Sequence, residues 1–246
     1  MLPILFSSGD FVIYSYPLFM GIAWGVSYYF TKYLLEKDGK EFQHYNFFFF
    51  SNFIFAYLGA KIFFLLFSAG ELIPSYATNS LFWLGGGFVF YGGFLFALLF
   101  SLFYVFILKK ISFSTLVYFI PSLTLAHAIG RVGCFFAGCC YGKFCDLPWA
   151  IDGEKDFRHP VQLYEAFLLI CLFFYLLRLL YKKASASSLF FTYLLGYSFF
   201  RFILEFFRGD FIRGVGFFST SQYISLSLFF CSLLLFLKNK TNICKK

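Results

Sequence analysis

Stretches of about twenty mostly apolar residues, the length a helix needs to cross the hydrocarbon of a bilayer, recur along this chain between short polar breaks. They lie near 12–31, 46–68, 81–108, 113–130, 161–181, 186–207 and 220–237. A soluble core has no room for that much apolar surface: 61% of the 246 residues are hydrophobic and 13% are charged, about half the charged share of an ordinary soluble domain. The expected fold is therefore all-α, a polytopic membrane protein of about seven transmembrane helices forming a single transmembrane domain over 1–246. The N-terminus lacks a basic region and a small-residue cleavage site ahead of the first span, so no cleavable signal peptide is expected. The 44 Phe residues suit lipid-facing positions and carry no function here.

Orientation follows from basic residues, because cytoplasmic loops carry an excess of Lys and Arg. Lys32, Lys37, Lys40, Lys109, Lys110, Arg178, Lys182, Lys183, Lys238, Lys240, Lys245 and Lys246 fall on one side, which is expected to be cytoplasmic. The N-terminus, the 69–80 loop, an extracytoplasmic segment of about 131–160 and the 208–219 connection fall on the other. The expectation is thus N-terminus outside and C-terminus cytoplasmic. The same count explains the net charge of +8 as membrane orientation, so nucleic acid is not an expected partner.

Topology does not explain the arginines. Of the six, Arg131, Arg158, Arg201, Arg208 and Arg213 sit on or near the outer side, and Arg178 alone falls in the cytoplasmic set. Guanidinium is a rigid, always-charged fork that suits phosphate or carboxylate. A charge within a span costs about 2.5–3.5 kcal/mol even on the gentler insertion scales, so such groups should turn inward toward partners or a watery cavity.

Three clusters hold four of the five outer arginines. In Gly196–Arg208, the residues Tyr197, Arg201, Glu205 and Arg208 recur at intervals of four, four and three, which places them on one helical face with Arg201 and Glu205 able to pair. In His127–Lys143, His127 and Arg131 are one turn apart, and Gly130, Gly133, Gly138 and Gly142 permit tight turns or close approach. His127 is either a base near neutral pH or an inter-helix hydrogen bonder. In Arg158–Glu165, proline suits the first helical turn, and His159, Gln162 and Glu165 recur every three residues at the helix start. Cys134, Cys139, Cys140 and Cys145 lack the paired C-x2-C spacing of common zinc sites. No metal and no cofactor are expected, and on an oxidising face a disulfide such as one involving Cys145 is the favoured alternative.

Taken in order, Gly130-Arg131-Val132-Gly133-Cys134-Phe135, His159-Pro160-Val161-Gln162-Leu163-Tyr164-Glu165 and Gly196-Tyr197 through Arg201, Glu205 and Arg208 resemble prolipoprotein diacylglyceryl transferases. Tyr14-Ser15-Tyr16-Pro17-Leu18, Tyr91-Gly92-Gly93 and Ser221-Gln222-Tyr223-Ile224-Ser225 resemble weaker elements of the same family. The chain also departs from the pattern. The two asparagines and the glutamate of GRxGNFxNxE are replaced by Cys134, Ala137 and Cys139, and the histidine before Gly-Gly is Tyr91.

The resemblance implies transfer of the diacylglyceryl group of phosphatidylglycerol to the lipobox cysteine thiol of prolipoproteins, with glycerol 1-phosphate leaving, in a bacterial plasma (inner) membrane. It implies that Arg131 and Arg201 stabilise the leaving phosphate, with His127 and Glu205 as further catalytic candidates. Tyr16, Tyr91, Gly92, Gly93, Gly130, Gly133, His159, Gln162, Tyr164, Glu165, Tyr197 and Arg208 are then candidate substrate-binding residues, and membrane lipids surround the whole. Two other readings stay open: a catalytically silent membrane protein that binds anionic phospholipid or a lipoprotein precursor through the same arginines, and a redox or metal protein using the clustered cysteines.

Overall fold

A computed structural model describes residues 2–8, 11–67, 88–108, 110–152, 156–209 and 217–243. Arg213 and residues 81–87 of the third expected span lie outside these. The described chain contains seven α-helices: α1 (Ser15–Lys37), α2 (Tyr45–Phe67), α3 (Phe90–Phe106), α4 (Phe119–Phe136), α5 (Val161–Tyr181), α6 (Ala186–Leu204) and α7 (Thr220–Ile243). A 3-10 turn over Phe113–Tyr118 leads into α4, and another over Glu205–Phe207 follows α6. Among the described residues, five helical stretches are long and apolar enough to cross a membrane: Tyr45–Leu66, Phe113–Phe136, Val161–Tyr181, Ala186–Phe207 and Thr220–Lys238. The α3 stretch is apolar but shorter, and α1 is long enough but carries more polar residues.

The helical expectation needs two corrections. First, the described chain includes two small antiparallel hairpins, β1 (Ile4–Ser8) with β2 (Phe11–Tyr14) and β3 (Ile151–Asp152) with β4 (Phe157–Arg158). The first delays α1, because residues 12–14, expected to be helical, are spent pairing with Ile4–Ser7. Second, α4 runs six residues past the expected end at 130, so Arg131, Gly133 and Cys134 are helical rather than part of the extracytoplasmic segment. A helix keeps every backbone N–H and C=O paired, which a membrane segment requires. The segment that follows α4 thus begins at 137.

The chain divides into two compact units, Tyr33–Thr115 and the remainder. In the first, α2 packs on α3 through small residues: a methyl at Gly92 would lie 2.5 Å from the Gly59 carbonyl oxygen, and one at Gly93 would lie 2.9 Å from that of Ala56. Lipid tails are as apolar as side chains, so close backbone approach supplies the attraction that water would otherwise drive. Lys61 on α2 is buried, with its ammonium 4.0 Å from the Phe88 ring centroid.

In the second unit α4 packs on α5, α5 on α6 and α6 on α7. The N-terminal hairpin is tied to this bundle, since the Leu2 amide donates to the Phe136 carbonyl at 3.0 Å. Gly133 lets α1 approach α4, because a methyl there would meet Phe19 Cβ at 2.6 Å. Beyond α4, Tyr141–Cys145 runs as a strand-like segment between two others. The Gly142 amide donates to the His159 carbonyl and the His159 amide to that of Lys143, both at 3.0 Å. On the other side the Lys143 amide donates to the Phe207 carbonyl at 2.8 Å, and the Gly209 amide to that of Tyr141 at 3.1 Å. This small backbone ladder joins the ends of α4, α5 and α6, where the polar groups gather.

Candidate active site

Glu165 sits on the first turns of α5 with 1% of its surface exposed. Arg131 of α4 places Nε 2.9 Å from its Oε1, and Arg201 of α6 places Nη1 3.6 Å from its Oε2. His127 Nε2 is 3.8 Å from Oε1. Three helices therefore converge on one carboxylate. The opposing charges answer the burial cost each guanidinium would otherwise carry.

Arg201 has a second anion. Its Nη2 is 2.9 Å from Glu205 Oε2, four residues on, and Ser219 Oγ donates to Glu205 Oε1 at 3.0 Å. Tyr197, one turn before Arg201, stacks on Tyr193 with ring centroids 6.1 Å apart and brings its ring to 5.0 Å from that of His127. The expected common face thus holds for Tyr197, Arg201 and Glu205. Arg208 departs from it: the helix ends at Leu204, and Arg208 is extended (φ −70°, ψ 138°) and bridges to Gly142. It is nonetheless buried, at 5% exposure. Across the cluster, Arg131 and Arg201 face the two carboxylates of Glu165 and Glu205, and Arg208 lies within electrostatic reach of Glu165.

The α5 motif divides its work rather than presenting one polar side. Glu165 joins the arginines. Gln162, 1% exposed, turns the other way and donates from Nε2 to the Cys139 carbonyl at 2.6 Å, while its Oε1 is buried without a hydrogen-bond partner. His159 precedes the helix, and its Nδ1 is 3.3 Å from the Tyr164 hydroxyl, which also accepts from Trp149 Nε1 at 2.9 Å. Arg158 stacks its guanidinium over Phe144 and Tyr141, 4.2 and 4.6 Å from the ring centroids, apart from the carboxylate cluster.

The other candidates fall elsewhere. Gly130 meets only Met20 Sδ, at 3.7 Å, so a side chain would fit there, whereas Gly133 is needed by Phe19. Tyr16 lies within electrostatic reach of Arg131 and of Cys134, Cys139 and Cys140. Tyr91, Gly92 and Gly93 belong to the Tyr33–Thr115 unit, where the two glycines are taken up by the α2–α3 crossing.

The cysteines hold the largest surprise. The six described, Cys134, Cys139, Cys140, Cys145, Cys171 and Cys231, are free thiols, so the expected disulfide involving Cys145 is not formed among the described residues. Instead the sulfurs of Cys134, Cys139 and Cys140 all lie within 4.8 Å of one another. The cause is the end of α4. Gly138 adopts φ +72°, its amide donates to the Phe135 carbonyl at 3.1 Å, and the Cys139 amide donates to that of Cys134 at 3.2 Å. This pair of bonds is the Schellman stop, which folds the second residue beyond the helix back onto its last turn. The signal was available in sequence: a glycine four residues after Cys134 sets Cys139 against it. Cys140 is then brought in by a left-handed backbone, φ +63°. Hydrogen bonds from Cys134 and Cys139 hold the Cys140 thiol well below its ordinary pKa, burial opposes this, and Arg131 and Arg208 reinforce it.

Residues 3–238 match the family model described as prolipoprotein diacylglyceryl transferase. Among curated relatives, the phosphatidylglycerol–prolipoprotein diacylglyceryl transferase of Clostridium tetani is 34% identical over 179 residues, 69% of this chain and 70% of that protein. The protein of that name from Photobacterium profundum is 34% identical over 65% of this chain and 61% of its own length. The one from Geobacter sulfurreducens is 38% identical over 60% of each. The matched stretch thus spans about 60 to 70% of the length of these relatives.

Proposed function

The chain belongs to the prolipoprotein diacylglyceryl transferase family, and from that premise we propose that it transfers the diacylglyceryl group of phosphatidylglycerol to the lipobox cysteine thiol of prolipoproteins, releasing glycerol 1-phosphate. The observation that carries the reading is the convergence of Arg131 and Arg201 on the buried Glu165. As the bond between glyceryl carbon and phosphate oxygen breaks, negative charge grows on the departing phosphate. Fixed guanidinium groups in a water-poor site are worth most against that developing charge, because they need no reorganisation at the moment of reaction.

In this reading Arg131 and Arg201 contact the phosphate. Glu165 is a positioning residue: held between both arginines, it orients their forks and is not free to act as a base. Glu205 and Ser219 fix the far side of Arg201. His127, set between Glu165 and the Tyr197 ring, is the base that takes the acceptor's proton, since the thiolate is the nucleophile and a free thiol ionises only near pH 8.5, roughly. The ladder through Gly142, His159 and Arg208 closes over the headgroup. Tyr16, Gln162 and Tyr164 complete the substrate-binding set. The loop lysines support an N-terminus outside, a cytoplasmic C-terminus and a site toward the outer leaflet of a bacterial inner membrane.

The experiment is transfer from headgroup-labelled phosphatidylglycerol to a lipobox peptide by the full chain in detergent, reading both released glycerol phosphate and peptide thioether. Both products are expected in equal amounts. The replacement of family Asn and Glu positions by Cys134, Ala137 and Cys139 favours one competing reading, a silent binder of anionic lipid or lipoprotein precursor. Retention of labelled lipid with neither product formed would establish the binder instead.

A further inference from the structure

We propose that Cys134, Cys139 and Cys140 hold one thiophilic divalent cation of the zinc class, with its fourth coordination position open to the acceptor thiol. The role of that open position rests on the transferase reading above; the cation site itself does not.

Three observations support the site. The three sulfurs lie within 4.8 Å of one another. Tetrahedral zinc with sulfur at about 2.3 Å places its ligands roughly 3.8 Å apart, so side-chain rotation of less than about 1 Å closes the set. The Schellman stop accounts for the meeting of Cys139 with Cys134, where an apolar pair usually sits. It does not account for Cys140, which reaches the cluster only by taking φ +63°, a conformation that L residues other than Asn and Asp rarely adopt. Third, cationic side chains lie beside the thiols. Three thiolates and one divalent cation sum to a single negative charge, and Arg131 and Arg208 are both within electrostatic reach of Cys140. Gln162 anchors the turn from below by donating to the Cys139 carbonyl at 2.6 Å. Cys145 is not in the cluster.

Three protein ligands and a vacant fourth position are the arrangement of a catalytic rather than a structural zinc site. A thiol entering that position is deprotonated by the cation, which serves a reaction whose nucleophile is a thiolate. The acceptor S–H gives up its proton through water toward His127. A sulfur–carbon bond forms at the glyceryl carbon as the carbon–oxygen bond to phosphate breaks. The electron pair leaves on the phosphate oxygen, and no oxidation or reduction occurs. The cation thereby supplies what the family's missing glutamate position, here Cys139, does not.

The test is titration of the purified, metal-free full chain with cobalt(II) and zinc(II), read by sulfur-to-cobalt charge-transfer absorption and by elemental analysis. One cobalt per chain with thiolate absorption, displaced by zinc, is expected. Cys134→Ser, Cys139→Ser and Cys140→Ser should each weaken binding at least tenfold, and Cys145→Ser should leave it unchanged. Unfolding temperature measured on each variant separates loss of a ligand from loss of the fold, and cobalt-induced stabilisation of the wild-type chain gives a readout that needs no variant. Adding a lipobox peptide with cysteine should intensify the absorption, and the same peptide with serine should not. Absence of thiolate absorption in the folded wild-type chain overturns the site. An unchanged spectrum with the cysteine peptide overturns the open position. Metal and peptide binding without thioether formation from phosphatidylglycerol leaves the site standing and defeats the transferase reading.

Discussion

Replacing Glu165 by Gln removes the anion on which Arg131 and Arg201 meet while keeping the size of the side chain. The two arginines are not equally exposed to the loss. Arg201 keeps Glu205 at 2.9 Å, whereas the carboxylate recorded against Arg131 is Glu165, also at 2.9 Å. Breaking a buried pair by removing one partner costs about 3–5 kcal/mol, because the remaining charge stays buried. Taking Arg131 as the uncompensated group, Glu165→Gln should cost about that amount, and at about 2–4 °C per kcal/mol for a chain of this size the unfolding temperature should fall by roughly 6–20 °C. Glu205→Gln leaves Arg201 the Glu165 oxygen at 3.6 Å and should cost about 1–2 kcal/mol, in the lower range for a hydrogen bond to a charged group. The assay is thermal unfolding in detergent for both variants and for the pair Glu165→Gln with Arg131→Met. The double variant should recover at least half of the loss, a coupling well above the roughly 0.5 kcal/mol that independent sites show. Equal shifts for Glu165→Gln and Glu205→Gln, or strict additivity in the double variant, would refute the idea that Glu165 organises the cluster.

Four further outcomes follow from the packing. Gly92→Ala drives a methyl to 2.5 Å from the Gly59 backbone oxygen and should cost about 1–3 kcal/mol by overpacking, read as a lowered unfolding temperature. Gly25→Ala, which meets nothing within 4 Å, should be neutral or stabilising by up to about 1 kcal/mol. Gly142→Ala would meet His159 Cβ at 2.5 Å and should open the ladder, seen as faster protease cleavage between residues 141 and 159. Arg158→Ala loses the stacking on Phe144 and Tyr141, worth about 0.5–1 kcal/mol at a partly exposed site, and should retain transferase activity.

What could be read from sequence was what local periodicity governs. The 161–181 span matches α5 residue for residue, and the Tyr197, Arg201, Glu205 face is a matter of intervals of four along α6 and its C-cap. The inward turn of Arg131 and Arg201 followed from the cost of charge in hydrocarbon. Glu165 was legible as a polar group at a helix start but not as the hub, because that depends on which neighbours α4 and α6 bring to it. Arg208 was misread because helical spacing was carried past Leu204, where the helix stops. The thiol cluster does not follow the spacings of common metal sites, because it is the glycine stop at Gly138 that folds Cys139 onto Cys134. Lys61 was hidden inside an apolar run, where one lysine barely alters a twenty-residue window.

The central claim is that Arg131 and Arg201 act together on the departing phosphate. Its most direct measurement is the turnover rate of glycerol phosphate release from phosphatidylglycerol by Arg131→Lys, Arg201→Lys and Arg158→Lys, each shown to be folded. Loss of a bidentate donor to developing charge should slow the first two by about 100- to 1,000-fold and leave the third near the wild-type rate. Wild-type turnover in Arg131→Lys and Arg201→Lys, or an equal loss in all three, would contradict it.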